Sequence, residues 1–175
     1  MGPFGHFAVG LAAKPVAPKV PLGVLFLATA ILDVLAIALA FAGIEGVETG
    51  IPWSHGLVMS VIWSVVGALL AARLYREYRA GVVVGLLVFS HWVLDFISHP
   101  IPFSTFSWRS WQWSFGNPLP PDLPLLFAGS PKVGLGLYNS ISAVKATALE
   151  LGMFILGAAV YATHVVTKRR TGRSR

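Results

Sequence analysis

An all-α integral membrane protein, with about four transmembrane helices, an N-terminal re-entrant or half helix and a Trp/Pro-rich outward lid loop, is the fold this sequence predicts. Three observations predict it. Hydrophobic residues fill 55% of the 175 positions and charged residues only 11%, with a mean hydropathy of +0.73, whereas a soluble domain carries roughly 25% charge. Four apolar runs approach the roughly 20 residues that a helix needs to cross the hydrocarbon. Basic residues flank these runs unevenly, as topology signals do. The length suits a single transmembrane helical domain over residues 1–175, with no room for a separate soluble catalytic domain.

The first segment, PFGHFAVGLAAK, is too short to cross but apolar enough to insert. It reads as a half-length helix descending to a turn at Lys14 to Pro21, where Pro15, Pro18 and Pro21 punctuate the chain. The spans follow near Pro21 to Gly43, His55 to Tyr75, Ala80 to Ser98 and Thr147 to Thr167. The apolar run of the first span is too long for a cleaved signal peptide.

Lys14 and Lys19 precede the first span, Arg73, Arg76 and Arg79 bracket the second link, and a basic tail over 168–175 follows the fourth. The link with Glu45 and Glu48 has no basic residue. By the positive-inside rule both termini are cytoplasmic, the membrane is expected to be a prokaryotic cytoplasmic membrane, and the links Ile44 to Ser54 and His99 to Ala146 face outward. The loop Pro100 to Ala146 holds Trp108, Trp111 and Trp113 within six positions, an aromatic density that fits a lid at the membrane-water interface.

The formal charge of +6 does not point to nucleic acid. Five of the thirteen basic residues, Lys168, Arg169, Arg170, Arg173 and Arg175, crowd the tail, where anionic lipid headgroups are the expected partner. The chain has no cysteine, which excludes disulfides and thiolate ligands and leaves histidine and carboxylate as metal ligands.

Those residues fall in a pattern. In SHWVLDFISHP, His91, Asp95 and His99 lie at about 0°, 40° and 80° around a helix, on one stripe. With the rise of about 1.5 Å per residue, His6 stands about 12 Å above Lys14, Asp33 about 18 Å above Pro21 and His91 about 17 Å above Ala80. Three segments therefore bring an ionisable group to one depth. His55, Asp95, His99 and Glu150 fall nearer the outer helix ends. An aspartate at the centre of a span costs roughly 2.5–3.5 kcal/mol on insertion scales, so Asp33 and Asp95 need partners. A cation held between carboxylates and imidazoles satisfies all of them together. A lone histidine such as His6 or His55 can instead simply bond a backbone carbonyl. His164, near the basic tail, reads as an interfacial residue outside the cluster, and Glu45 and Glu48 as solvated.

Nitrogen and oxygen ligation indicates one or two zinc ions, with Mn2+ or Fe2+ as rivals, held by His6, Asp33, His55, His91 and Asp95. Haem ligation by paired histidines is a further possibility. The same cluster could serve a proton or metal-ion carrier, although the inner halves of the spans, such as Val82 to Val88, are almost wholly apolar. It could also only glue helices in a membrane scaffold, with Ser60, Ser64 and Gly67 marking close packing.

The order His6, Asp33, Pro-Trp-Ser-His55 and Ser-His91-x-x-x-Asp95 resembles the YdjM-type membrane-bound metal-dependent hydrolases. The resemblance covers about Gly5 to His99, with PDLPL around Asp122, GLGLYNS ending at Ser140, and Glu150 as weaker support. Ile31-Leu-Asp33-Val carries one acid where that family's common Pro-Asp-x-Asp carries two. The family is grouped with the zinc-dependent phospholipase C and P1 nuclease class. The resemblance implies metal-dependent phosphoester cleavage. The expected substrate is a membrane lipid or lipid-linked phosphate, with Asp95, His99 and Glu150 in acid-base or ligand roles and Arg109 and Trp108 of the lid loop over the substrate.

Overall fold

The computed structural model describes residues 3–44, 53–98 and 136–172. They form five α-helices and one short 3₁₀ turn: α1 (Pro3–Ala13), α2 (Leu22–Phe41), α3 (Leu57–Tyr75), α4 (Tyr78–Ser98), the turn Leu137–Ser140, and α5 (Ala143–Gly172). Among the described residues four helices, α2 to α5, are long and apolar enough to cross a membrane, and α1 is a shorter apolar helix.

The α1–α2 turn forms where proline ends the helix. The Ala13 carbonyl accepts from the amides of Val16 and Ala17, and the Lys14 ammonium donates to the carbonyls of Pro18 at 3.0 Å and Val20 at 2.5 Å. Pro21, which has no amide proton to lose, occupies the N-cap of α2. Ala17, Val20 and Leu25 from this corner join Leu32, Ala71, Ala80, Val84 and Leu87 in the core. At the next corner Arg76 takes the left-handed conformation, φ 49°, and stops α3. Glu77 then reaches Lys19 of the first corner at 3.4 Å, an exposed pair that orients the two turns more than it stabilises them.

Helices in lipid gain no hydrophobic drive from meeting each other, so close packing must hold them. Gly81 and Gly85 of α4 lie on Ala68 and Ala72 of α3, where a Cβ at position 81 would come within 2.6 Å of the Ala68 carbonyl oxygen. Gly157 of α5 faces the Ala8 carbonyl of α1 so closely that any side chain would collide with it. Phe4 and Phe154 meet edge to face at 5.8 Å along the same seam. The half helix α1 is thereby wedged between α5 on one side and α2 and α4 on the other. α4 is the most enclosed of the spans, while Leu69, Leu70 and Leu74 of α3 and Ile155 and Leu156 of α5 point outward, as lipid-facing side chains do.

Helix ends differ from the sequence expectation by a few residues. α5 starts at Ala143, not Thr147, because the Ser142 hydroxyl accepts from the Lys145 amide at 3.4 Å as an N-cap. It also runs on through Lys168, Arg169 and Arg170, since nothing in that stretch breaks a helix. Of the expected lid, only its last residues, from 136 on, are described, and the others lie outside the described residues.

Candidate metal centre

Four segments deliver the site. On α2 the residues Thr29 and Asp33 share a face at i, i+4. His55 stands in the turn just ahead of α3, which is pinned by the Trp63 indole donating to the Trp53 carbonyl at 2.9 Å. His91 and Asp95 lie on the buried face of α4 with Val84, Leu87 and Val88, and α1 contributes His6. All but Asp33 are buried; the Asp33 side chain is 55% exposed.

His91 fixes the arrangement. Its Nδ1 lies 2.7 Å from the Thr29 carbonyl oxygen, so Nδ1 must carry the proton and donate it. The opposite atom, Nε2, then faces Asp33 Oδ1 at 3.4 Å, Asp95 Oδ2 at 3.1 Å and His55 Nε2 at 3.3 Å. A neutral ring would aim a lone pair at two carboxylates, which is repulsive. A proton or a metal cation must sit between them. His55 repeats the arrangement, with Nδ1 bonded to Ser54 Oγ at 2.7 Å and Nε2 3.3 Å from Asp33 Oδ1.

His6 stacks on His91, ring centroids 3.9 Å apart and planes 9° from parallel. Its Nε2 is 3.3 Å from Asp95 Oδ1 but out of hydrogen-bond alignment, and neither ring nitrogen has a hydrogen-bond partner among the described residues. Leaving a buried imidazole unsatisfied costs about 1–3 kcal/mol.

Two overlapping triads could hold a metal ion: Asp33, His55 and His91, and His6, His91 and Asp95. The first is of a size that could take one ion. Its three facing atoms form a triangle with edges of 3.3, 3.4 and 3.3 Å. Tetrahedral ligands about 2.05 Å from a zinc-sized ion are separated by roughly 3.3–3.4 Å, so one ion fits above this triangle. The two triads share one His91 lone pair, so they cannot both be filled through that atom.

Glu150 of α5 is buried, and Tyr138 of the 3₁₀ turn is buried with it. Burial, and then the Glu150 carboxylate, push the Tyr138 phenol above its ordinary pKa, and the charge of Asp95 acts in the same direction. Tyr138 is therefore a neutral hydroxyl beside two acids.

Of the residues expected from sequence, the structure brings His6, Asp33, His55, His91 and Asp95 together. Glu150 lies beside Tyr138, while His99, Trp108 and Arg109 lie outside the described residues. His164 stands 14 residues from Glu150 along α5, about 21 Å away, and lines a separate cavity. Thr29, Ser54 and Tyr138 were not anticipated. Thr29 and Ser54 had a signal, one being four residues before Asp33 and the other adjacent to His55. Tyr138 had only its place within GLGLYNS.

No protein-family model, curated protein or solved structure matches this chain.

Proposed function

We propose that this protein is a membrane-embedded, metal-dependent hydrolase, a phosphoesterase acting on a lipid or lipid-linked phosphate. The triangle of Asp33 Oδ1, His55 Nε2 and His91 Nε2 carries this reading, because three ligands with one exposed member match a catalytic metal site, whereas structural sites close on four. Zinc is the metal best suited to two imidazoles and a carboxylate, with manganese and iron next. At this position it would acidify a water toward neutrality and polarise a phosphoryl oxygen.

The chain's own groups supply the rest. The Thr29 carbonyl and Ser54 hydroxyl orient the two imidazoles. Asp95, held against His91, is placed to take a proton from an attacking water, with His6 stacked on His91 beside it. Tyr138 with Glu150 offers a neutral hydroxyl and a carboxylate on the α5 side. Substrate is expected from the side where Asp33 is exposed. The resemblance to the YdjM-type hydrolases supports the same chemistry. A single ion suits both the shared His91 and the single acid at Ile31-Leu-Asp33-Val.

The test is to load detergent-purified protein with zinc or manganese, reconstitute it into vesicles of mixed phospholipids and assay phosphate or phosphoalcohol release. Release that needs the metal and vanishes in Asp33→Asn supports the reading. A metal-loaded protein that turns over none of the phosphoesters would overturn it.

A further inference from the structure

A second concave site lies at the end of the bundle remote from Glu150, between the α1–α2 turn and the last turns of α5. It is a half-open groove of about 450 Å3, within the usual range for small-ligand sites of roughly 300–1,000 Å3. Tyr161, His164 and Lys168 recur at i, i+3 and i+7 and therefore face the same way from α5. Lys14 and Pro18 form the opposite wall, and Arg169 extends the rim.

The chemistry of this lining is one-sided. Two ammonium groups, a guanidinium, an imidazole and a phenol line the cavity, and none of the lining residues is acidic. Lys14 is not a loose surface lysine. Two of its three protons are spent on the Pro18 and Val20 carbonyls, which anchors the ammonium at the wall and leaves one donor for a ligand. Partial burial, and then the charge of Lys168, lower its pKa, as gathering like charges requires.

We infer that this cavity binds a phosphate-bearing anion, with Lys14, Lys168 and Arg169 neutralising it and Tyr161 and His164 hydrogen-bonding its oxygens. Arginine and lysine together suit a phosphate, the guanidinium through paired parallel bonds and the ammonium as a point charge. The cations sit at one end of α5, a helix long and apolar enough to cross a membrane, so the phosphate can belong to an anionic lipid or be free in solution. The inference is independent of the metal centre, since it uses none of its residues.

The experiment compares binding of dioctanoyl phosphatidic acid, dioctanoyl phosphatidylcholine and inorganic phosphate to delipidated full-length protein, read by native mass spectrometry. Wild type is expected to prefer phosphatidic acid to phosphatidylcholine, and Lys168→Gln/Arg169→Gln to weaken that binding roughly tenfold or more. Lys145→Gln, at the far end of α5, should leave it unchanged. Competition by millimolar inorganic phosphate would assign the site to phosphate alone, and its failure would assign it to the lipid headgroup. Tyr161→Phe, which removes one hydroxyl, gives a second, smaller loss should the double variant fold poorly. Equal binding of phosphatidic acid and phosphatidylcholine, or undiminished binding in both variants, overturns the inference.

Discussion

His91 on α4 donates its Nδ1 proton to the carbonyl of Thr29 on α2, 62 residues away in sequence and 2.7 Å away in space. This bond sets which ring nitrogen faces the acids, and most of the expected behaviour of the site follows from it.

His91→Ala, Asp33→Ala and His55→Ala should each lower metal affinity by more than about a hundredfold, beyond the roughly 10–100-fold that a supporting residue costs. His164→Ala should keep wild-type metal. Elemental analysis after equilibrium dialysis against zinc reads the result, and equal retention in all four variants would make the cluster a purely structural polar contact.

The two triads make different demands on His6. If the ion sits over Asp33, His55 and His91, His6→Ala should retain metal to within about tenfold while activity drops. Loss of metal in His6→Ala with retention in Asp33→Ala would place the ion in the buried triad instead.

Gly157→Leu should unseat α1, because the Ala8 backbone cannot move away from the side chain. Overpacking of this kind costs about 1–3 kcal/mol, to be read from unfolding in mixed micelles. Gly152, where a Cβ meets nothing within 4 Å, is the control: Gly152→Ala should be no less stable than wild type.

Tyr138 predicts an alkaline signature. Its pKa is raised in the folded protein from a reference value of 10.0, so above that reference the unfolded chain loses the proton first and stability must fall with rising pH. Below pH 10 the contribution is complete. Tyr138→Phe should lack this alkaline decline, as seen in melting temperatures measured between pH 8 and 11.

Topology can be read with single cysteines in this Cys-free chain. Ile44 and Tyr78 are both exposed and sit at opposite ends of their helices relative to the two basic turns. In intact cells an impermeant thiol reagent should label Ile44→Cys and spare Tyr78→Cys, and the reverse pattern would invert the membrane orientation.

The depth of each polar residue was legible in the sequence because a helix advances by a fixed rise, so Asp33, His91 and His6 could be levelled from the turns below them. The stripe of His91 and Asp95 was equally legible from its spacing. The stack of His6 on His91 was not, since it depends on how α1 is rotated, and the near-contact of Gly157 with Ala8 sets that rotation. The split of five ligands into two triads was hidden for a related reason: it rests on which nitrogen of His91 is protonated, and a main-chain carbonyl decides that. Carbonyls are the same at every position, so no residue letter announces Thr29 in this role.

The pairing of α1 with α5 also sets an order of assembly in time. Among the described helices α1 leaves the ribosome before α5, yet each is the other's most extensive neighbour. While α2, α3 and α4 insert, Asp33, His55 and His91 can already meet, but His6 has no clamp until Gly157 arrives. A stalled or truncated nascent chain would therefore display a partly built cluster of acids and imidazoles, open where the stacked His6 belongs, to whatever surveys unfinished proteins in the membrane.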